Sequence, residues 1–274
     1  MVMYWGLIFC IAEMSPALPH TGAAYSFARS AMGPWGGFVT GLAENIEYVL
    51  TPTVIVFFIG TYLSGVFGTP PEYQPFYWAG AYLIFLVLNL FGVELSFRVS
   101  VLVTVGALAV LAIYWVSAIP FFDFDRWALN IGGKTPEGEL IELPSGNGPF
   151  LPMGWAGAFA ALPFAVWLFL AIEQLPLAAE ETDDPKVHMP KGLILGMSTL
   201  VVSAFLIVFL NSSVGGPEPD KMHGAFTLAK SGEPLLDGFR VTIGGFGATA
   251  LALLAVIGLI ASFHTLYGDR KSVV

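Results

Sequence analysis

The stretch Pro163–Glu181, PFAVWLFLAIEQLPLAAEE, decides how the chain is read. A helix crossing hydrocarbon needs roughly 20 mostly apolar residues, and this run is apolar enough, yet it carries Glu173-Gln174 just ahead of Pro176, with Pro163 at its start. Proline removes a backbone donor and its ring clashes with the preceding turn, so the spacing predicts a helix that breaks here. Broken backbone at membrane depth persists only where its freed groups are buried in protein or line a cavity. An intramembrane carboxylate marks an ion or substrate path. A plain proline kink, common in membrane helices, is the alternative; the glutamate beside it favours a site.

The rest of the chain has the same character. Of its 274 residues 56% are hydrophobic and 11% charged, against about 25% charged in a soluble domain, and the mean hydropathy is +0.75. Seven apolar segments read as spans: 1–17, 33–63, 76–95, 99–120, 152–179, 192–210 and 241–264. Their runs are continuous rather than alternating, which excludes a β-barrel and predicts one all-α transmembrane domain over 1–274. The first span has no positive n-region and no cleavage site, only Glu13 and Ser15-Pro16, so it is a structural helix and not a signal peptide. The opening MVMYWGLIFC starts within a span and the closing YGDRKSVV stops just after one, and both ends are expected to be cut.

Short connections set orientation through their Lys and Arg. Arg29, Arg98, Lys186, Lys191, Arg270 and Lys271 fall on one side, the expected cytoplasmic side, and leave 121–151 and 211–240 as long external loops. Net charge is −9, which gives nucleic acid no basic face. Asp123, Asp125, Glu137, Glu139 and Glu142 concentrate it in the first external loop, either enriching cations at an entrance or serving as a solvated surface. A single cysteine, Cys10, supports no intrachain disulfide. His20, His188, His223 and His264 are too scattered for a metal site. No cofactor is implied, and no hydrolytic triad points to an enzyme.

Glu44 and Glu47 share one helical face. Glu44 lies about 17 Å beyond Gly33 in a core of roughly 30 Å. Each buried charge costs about 3 kcal/mol on insertion scales, so the pair marks either a transport path or a structural pair bonded to neighbouring helices. The glycines Gly36-Gly37-Gly41 and Gly244-Gly245-Gly247 read as close helix contacts rather than phosphate loops.

Two long motifs in order then carry a resemblance. AEMSPALPHTGAAYSFARSAMGPWGGFVTG (Ala12–Gly41) and AAEETDDPKVHMPKG (Ala178–Gly192) resemble the second-to-third-helix signature and the junction after helix six of the amino acid–polyamine–organocation (APC) permease family. Within it, GLAENIEYVLTPTVIVFFIGTYL (Gly41–Leu63) and GLIASFHTLYG (Gly258–Gly268) are most similar to ethanolamine permeases. The resemblance implies part of an inverted-repeat, leucine-transporter-type bundle, with these spans as helices two to eight and the glycine-rich first helix outside the sequence.

By the same resemblance, Trp167, Phe169 and Glu173 match the substrate-facing break of helix six, and Glu44, Glu47 and Tyr48 approach the same cavity. Carboxylates suit an ammonium through charge-assisted hydrogen bonds, and aromatic faces add about 0.5–2 kcal/mol of cation–π attraction. The lysine that many proton-coupled members place in helix five is replaced by Ala107, which argues against lysine-based coupling. His264 is a candidate proton carrier, or a histidine bonded to a neighbouring helix. A coupling proton and a sodium ion both stay open. The expectation is a secondary transporter in the cytoplasmic membrane that moves a small amine, most of all ethanolamine, across the lipid bilayer. The alternatives are an amino acid or polyamine permease of the same family, or a truncated fragment that does not transport.

Overall fold

The computed structural model describes residues 1–18, 22–90, 93–135, 140–142, 150–151, 153–216 and 224–273, with backbone alone at 85, 88–90, 93–100, 132–134, 140, 142, 178–181 and 260–273. Helices dominate: α1 Val2–Ala17, α2 Ala23–Phe67, α3 Gln74–Leu90, α4 Val93–Ala118, α5 Gly154–Ala160, α6 Leu162–Trp167, α7 Pro185–Ser212, α8 Gly224–Leu228, α9 Pro234–Thr242 and α10 Gly245–Val273. A 3₁₀ stretch, Ile172–Glu181, follows α6. Three stretches are long and apolar enough to cross a membrane: α2, Val101–Phe121 and α7. The pair α5 and Leu162–Leu177 qualifies as one bent span, while α1 and Gly245–Leu259 are shorter apolar helices.

Helix ends depart from the apolar runs for simple reasons. Helix α4 starts at Val93, ahead of Glu94 and Arg98, because a helix end carries charges that an apolar run excludes. Helix α7 starts at Pro185, whose missing N–H has no partner in a first turn anyway. Between α4 and α5, Ile131–Lys134 (β1) pairs antiparallel with Leu140–Glu142 (β2) in a hairpin that hydropathy does not reveal.

The chain divides into two compact units. One holds residues 1–53 and 159–204. Its core joins Tyr4, Ile8 and Ile11 of α1 to Phe169 and to Leu193 and Met197 of α7. Lipid is as apolar as leucine, so such helices associate through close packing rather than hydrophobic transfer. Gly33 shows how closely. It sits at φ 76°, ψ −169° inside α2, a region that only glycine occupies readily. The reversal lays the Tyr25 ring over Gly37 and Gly41, where added methyl groups would lie 3.3 and 3.1 Å from it. These glycines are contact surfaces, as read from sequence. Gly244 and Gly245 are different: both have positive φ and turn the chain into α10.

The second unit comprises residues 54–158 and 205–264. Buried Tyr114 of α4 donates to Asn211 Oδ1 of α7 at 2.7 Å, and Asn211 Nδ2 donates to the Pro234 carbonyl at 3.2 Å. Phe239 meets the Tyr114 ring edge-on at 5.3 Å. Helices α2 and α9 cap each other. The Leu235 N–H, in the first turn of α9, donates to the Tyr62 hydroxyl at 3.2 Å, and Arg240 Nη2 donates to the Gly65 carbonyl in the last turn of α2 at 3.0 Å. Both are groups that a helix end leaves without internal partners. Arg240 also pairs with Asp237 at 2.9 Å and Glu233 at 3.5 Å.

A methyl group on Gly238 would lie 2.7 Å from the Tyr114 ring and 2.8 Å from Asn211 Oδ1. Gly238→Ala is therefore expected to cost about 1–3 kcal/mol, and Tyr114→Phe, which orphans Asn211 Oδ1, a similar amount. Both are read as lowered melting temperatures in detergent. Glu233 has its pKa raised, chiefly by burial and then by Asp237, against an opposing pull from Arg240. A raised folded pKa contributes stability that is complete below the ordinary carboxylate range and is lost as pH rises through the folded value. Glu233→Gln is accordingly expected to flatten the fall in melting temperature above about pH 4.3.

Candidate functional site

The predicted break is present, and its chemistry is local. Helix α6 ends at Trp167, and Ala171, just before Ile172–Glu181, adopts φ 77°. That left-handed conformation costs a non-glycine residue about 1–2 kcal/mol. Glu173 stabilises it: its Oε1 accepts the Ala171 N–H at 3.1 Å, so a carboxylate satisfies one donor that the break frees. The other oxygen, Oε2, is buried and has no hydrogen-bond partner among the described residues. An orphaned buried oxygen is costly, more so when charged.

Glu44 and Glu47 come from α2, part-buried. Glu47 Oε1 accepts from Gln174 Nε2 at 3.1 Å, linking α2 to the broken segment, and Gln174 is buried. Glu44 interacts electrostatically with Glu47 and Glu173, and the Tyr4 hydroxyl with both of the latter. Three carboxylates thus converge in one unit, and no Lys or Arg forms an ion pair with them among the described residues. Phe169 is buried with its ring 5.6 Å from that of Tyr4. Tyr48 is buried too, whereas Trp167 is 42% exposed.

The structure therefore brings Glu44, Glu47, Glu173 and Phe169 into one neighbourhood, with Tyr48 buried on the same helix as the first two. The His264 side chain lies outside the described residues. Two members escaped the sequence reading. Gln174 has a weak signal, as a polar neighbour of Glu173 inside the break; Tyr4 has none, since its position follows only from how α1 packs. Such a cluster attracts cations or protons, and its part-buried setting strengthens a charge-assisted hydrogen bond. No grouping of His, Cys, Asp and Glu able to hold a metal occurs among the described residues.

The fold and the site together define a membrane protein of the permease type, and comparison with known proteins is specific. The chain belongs to the amino acid permease family, whose model matches residues 1–265. It is an all-α, multi-pass membrane protein. It is 28% identical over 270 residues to an uncharacterized transporter of Rhizobium meliloti (strain 1021), covering 95% of this chain and 52% of the relative. It is 22% identical to the methylthioribose transporter of Bacillus subtilis (strain 168), over 92% of this chain and 52% of that protein. It is 24% identical to the aromatic amino acid transport protein AroP of Salmonella typhimurium (strain SL1344), over 74% and 41%. The chain spans about half the length of the curated relatives it matches.

The conformation of Ala171 gives a direct check on the break. Ala171→Gly, which tolerates positive φ, is expected to leave the melting temperature unchanged or higher, while β-branched Ala171→Val lowers stability by about 1–3 kcal/mol. Equal loss in both variants would show that the left-handed turn is absent.

Proposed function

We propose that this chain forms the substrate-recognising part of a secondary permease for a small primary amine, with ethanolamine the best candidate. The observation that carries the reading is the convergence of Glu44, Glu47 and Glu173 without a basic partner among the described residues, together with the buried, unpartnered Glu173 Oε2. A primary ammonium brings three donors and one positive charge. It would give Glu173 Oε2 its missing partner and offset the mutual repulsion of the carboxylates, while Phe169 and Tyr4 close the apolar side. A coupling proton or sodium ion would use the same attraction.

A second reading, an amino acid permease, is favoured by what the relatives are named for: AroP for aromatic amino acids and a Bacillus subtilis permease for branched-chain amino acids. An amino acid also presents an ammonium, so Glu173 serves both readings; the difference lies in whether a carboxylate on the ligand helps or hinders.

Glu173→Gln is the informative variant, because its amide oxygen can still accept the Ala171 N–H while the charge is gone. Labelled ethanolamine binding to protein in nanodiscs, followed by scintillation proximity, is expected to weaken at least tenfold in Glu173→Gln with insertion unchanged. Competition by leucine or tyrosine stronger than by ethanolamine would move the assignment to the second reading, and unchanged binding in Glu173→Gln would remove the amine site.

A further inference from the structure

The broken segment Ile172–Glu181 is held on two sides. On one, Ile172 and Leu175 reach α7 at its two glycines: a methyl group on Gly196 would lie 2.9 Å from Ile172 Cδ1, and one on Gly192 would lie 3.1 Å from Leu175 Cδ2. Gly192 and Gly196 are one turn apart, as are Ile172 and Leu175, so the two side chains seat in a pair of notches that any larger residue would fill. On the other side, Gln174 reaches α2, where its Nε2 donates to Glu47 Oε1 at 3.1 Å. Pro176, fully buried, has no N–H to offer, and Ala171 sits in a conformation alanine adopts at a cost. Among the described residues, the Glu47–Gln174 hydrogen bond ties this segment to α2.

We propose that Glu47 is a positioning residue: through Gln174 it clamps the broken segment into the glycine notches of α7 and so fixes where Glu173 and Phe169 stand. The assignment rests on the break being the ligand site, and it gives Glu47 a different task from Glu173. Its chemistry makes a distinctive demand. An amide partner serves either protonation state, since Gln174 donates its N–H to a carboxylate and, with the amide turned over, accepts the O–H of a carboxylic acid through its oxygen. The clamp needs a hydrogen-bonding group of this length at position 47 and not a negative charge.

Exchange reads the clamp and amine binding reads the shared carboxylate charge, so the conservative variant separates the two tasks of Glu47. Hydrogen–deuterium exchange of the amides at 172–175 and 177 is measured on the purified chain in nanodiscs for Glu47→Gln, Glu47→Leu, Gln174→Leu and the double Glu47→Leu/Gln174→Leu variant. The expected result is exchange about tenfold faster in each single leucine variant, the loss of one hydrogen bond between helical segments. The double variant should be no faster than the singles, and Glu47→Gln should stay within about twofold of the parent. Parent-like exchange in Gln174→Leu, or Glu47→Gln as fast as Glu47→Leu, overturns the clamp. Ethanolamine binding is scored separately. A clamp that holds in exchange while binding is absent refutes the amine reading alone, and amine binding with parent-like exchange in Gln174→Leu refutes the clamp alone.

Discussion

Backbone groups at membrane depth have no water to turn to, and this constraint shapes the segment between Trp167 and Glu181. Where the helix stops, its N–H and C=O groups must find partners inside the protein. Here a side chain supplies one: Glu173 bends back to accept the Ala171 N–H. The carboxylate that makes the break tolerable is therefore the one whose second oxygen is buried and finds no partner among the described residues. On the proposed amine reading, structural necessity and ligand binding fall to two oxygens of a single residue.

Around that residue the packing follows from the solvent. Because lipid provides little hydrophobic force between helices, contact depends on shape. Glycines at 37, 41, 192 and 196 let Tyr25, Leu175 and Ile172 approach closely. The aromatic pair Tyr4 and Phe169 fills the space beside the break. Among the described residues, polar ties join segments distant in sequence, such as Glu47 to Gln174, Tyr114 to Asn211 and Arg240 to Gly65. In a medium where an unmade hydrogen bond is expensive, such ties define one arrangement among several of similar packing quality.

Much of this was legible because its signals are short in range. Pro176 and Glu173 announce a break whatever the rest of the chain does, and a spacing of three puts Glu44 and Glu47 on one face. The motifs Ala12–Gly41 and Ala178–Gly192 carried the family, which the match over residues 1–265 establishes. What stayed hidden depends on distant partners. Tyr4 joins the site only because α1 packs beside the break, and Gln174 reads as an ordinary polar neighbour until Glu47 is seen opposite it. The β1–β2 hairpin lies in a connection where hydropathy has no period to report. Glycines also split in a way sequence does not show: Gly37 and Gly41 receive a ring, whereas Gly244 and Gly245 turn the chain. The proposed substrate was the least legible feature, since an ammonium is common to ethanolamine and to every amino acid.

An amine can reach Glu173 only if the break opens to a polar cavity rather than lying in lipid. Cysteine scanning of positions 168–178 in a Cys10→Ser background, with a membrane-impermeant methanethiosulfonate reagent, tests it most directly. Reaction is expected at Ala171, where ethanolamine slows it, and at Glu173, where loss of the carboxylate removes that protection, with Ile172 and Leu175 inert in the glycine notches of α7. Uniform inertness across the segment, the behaviour of an unbroken helix in hydrocarbon, would contradict it.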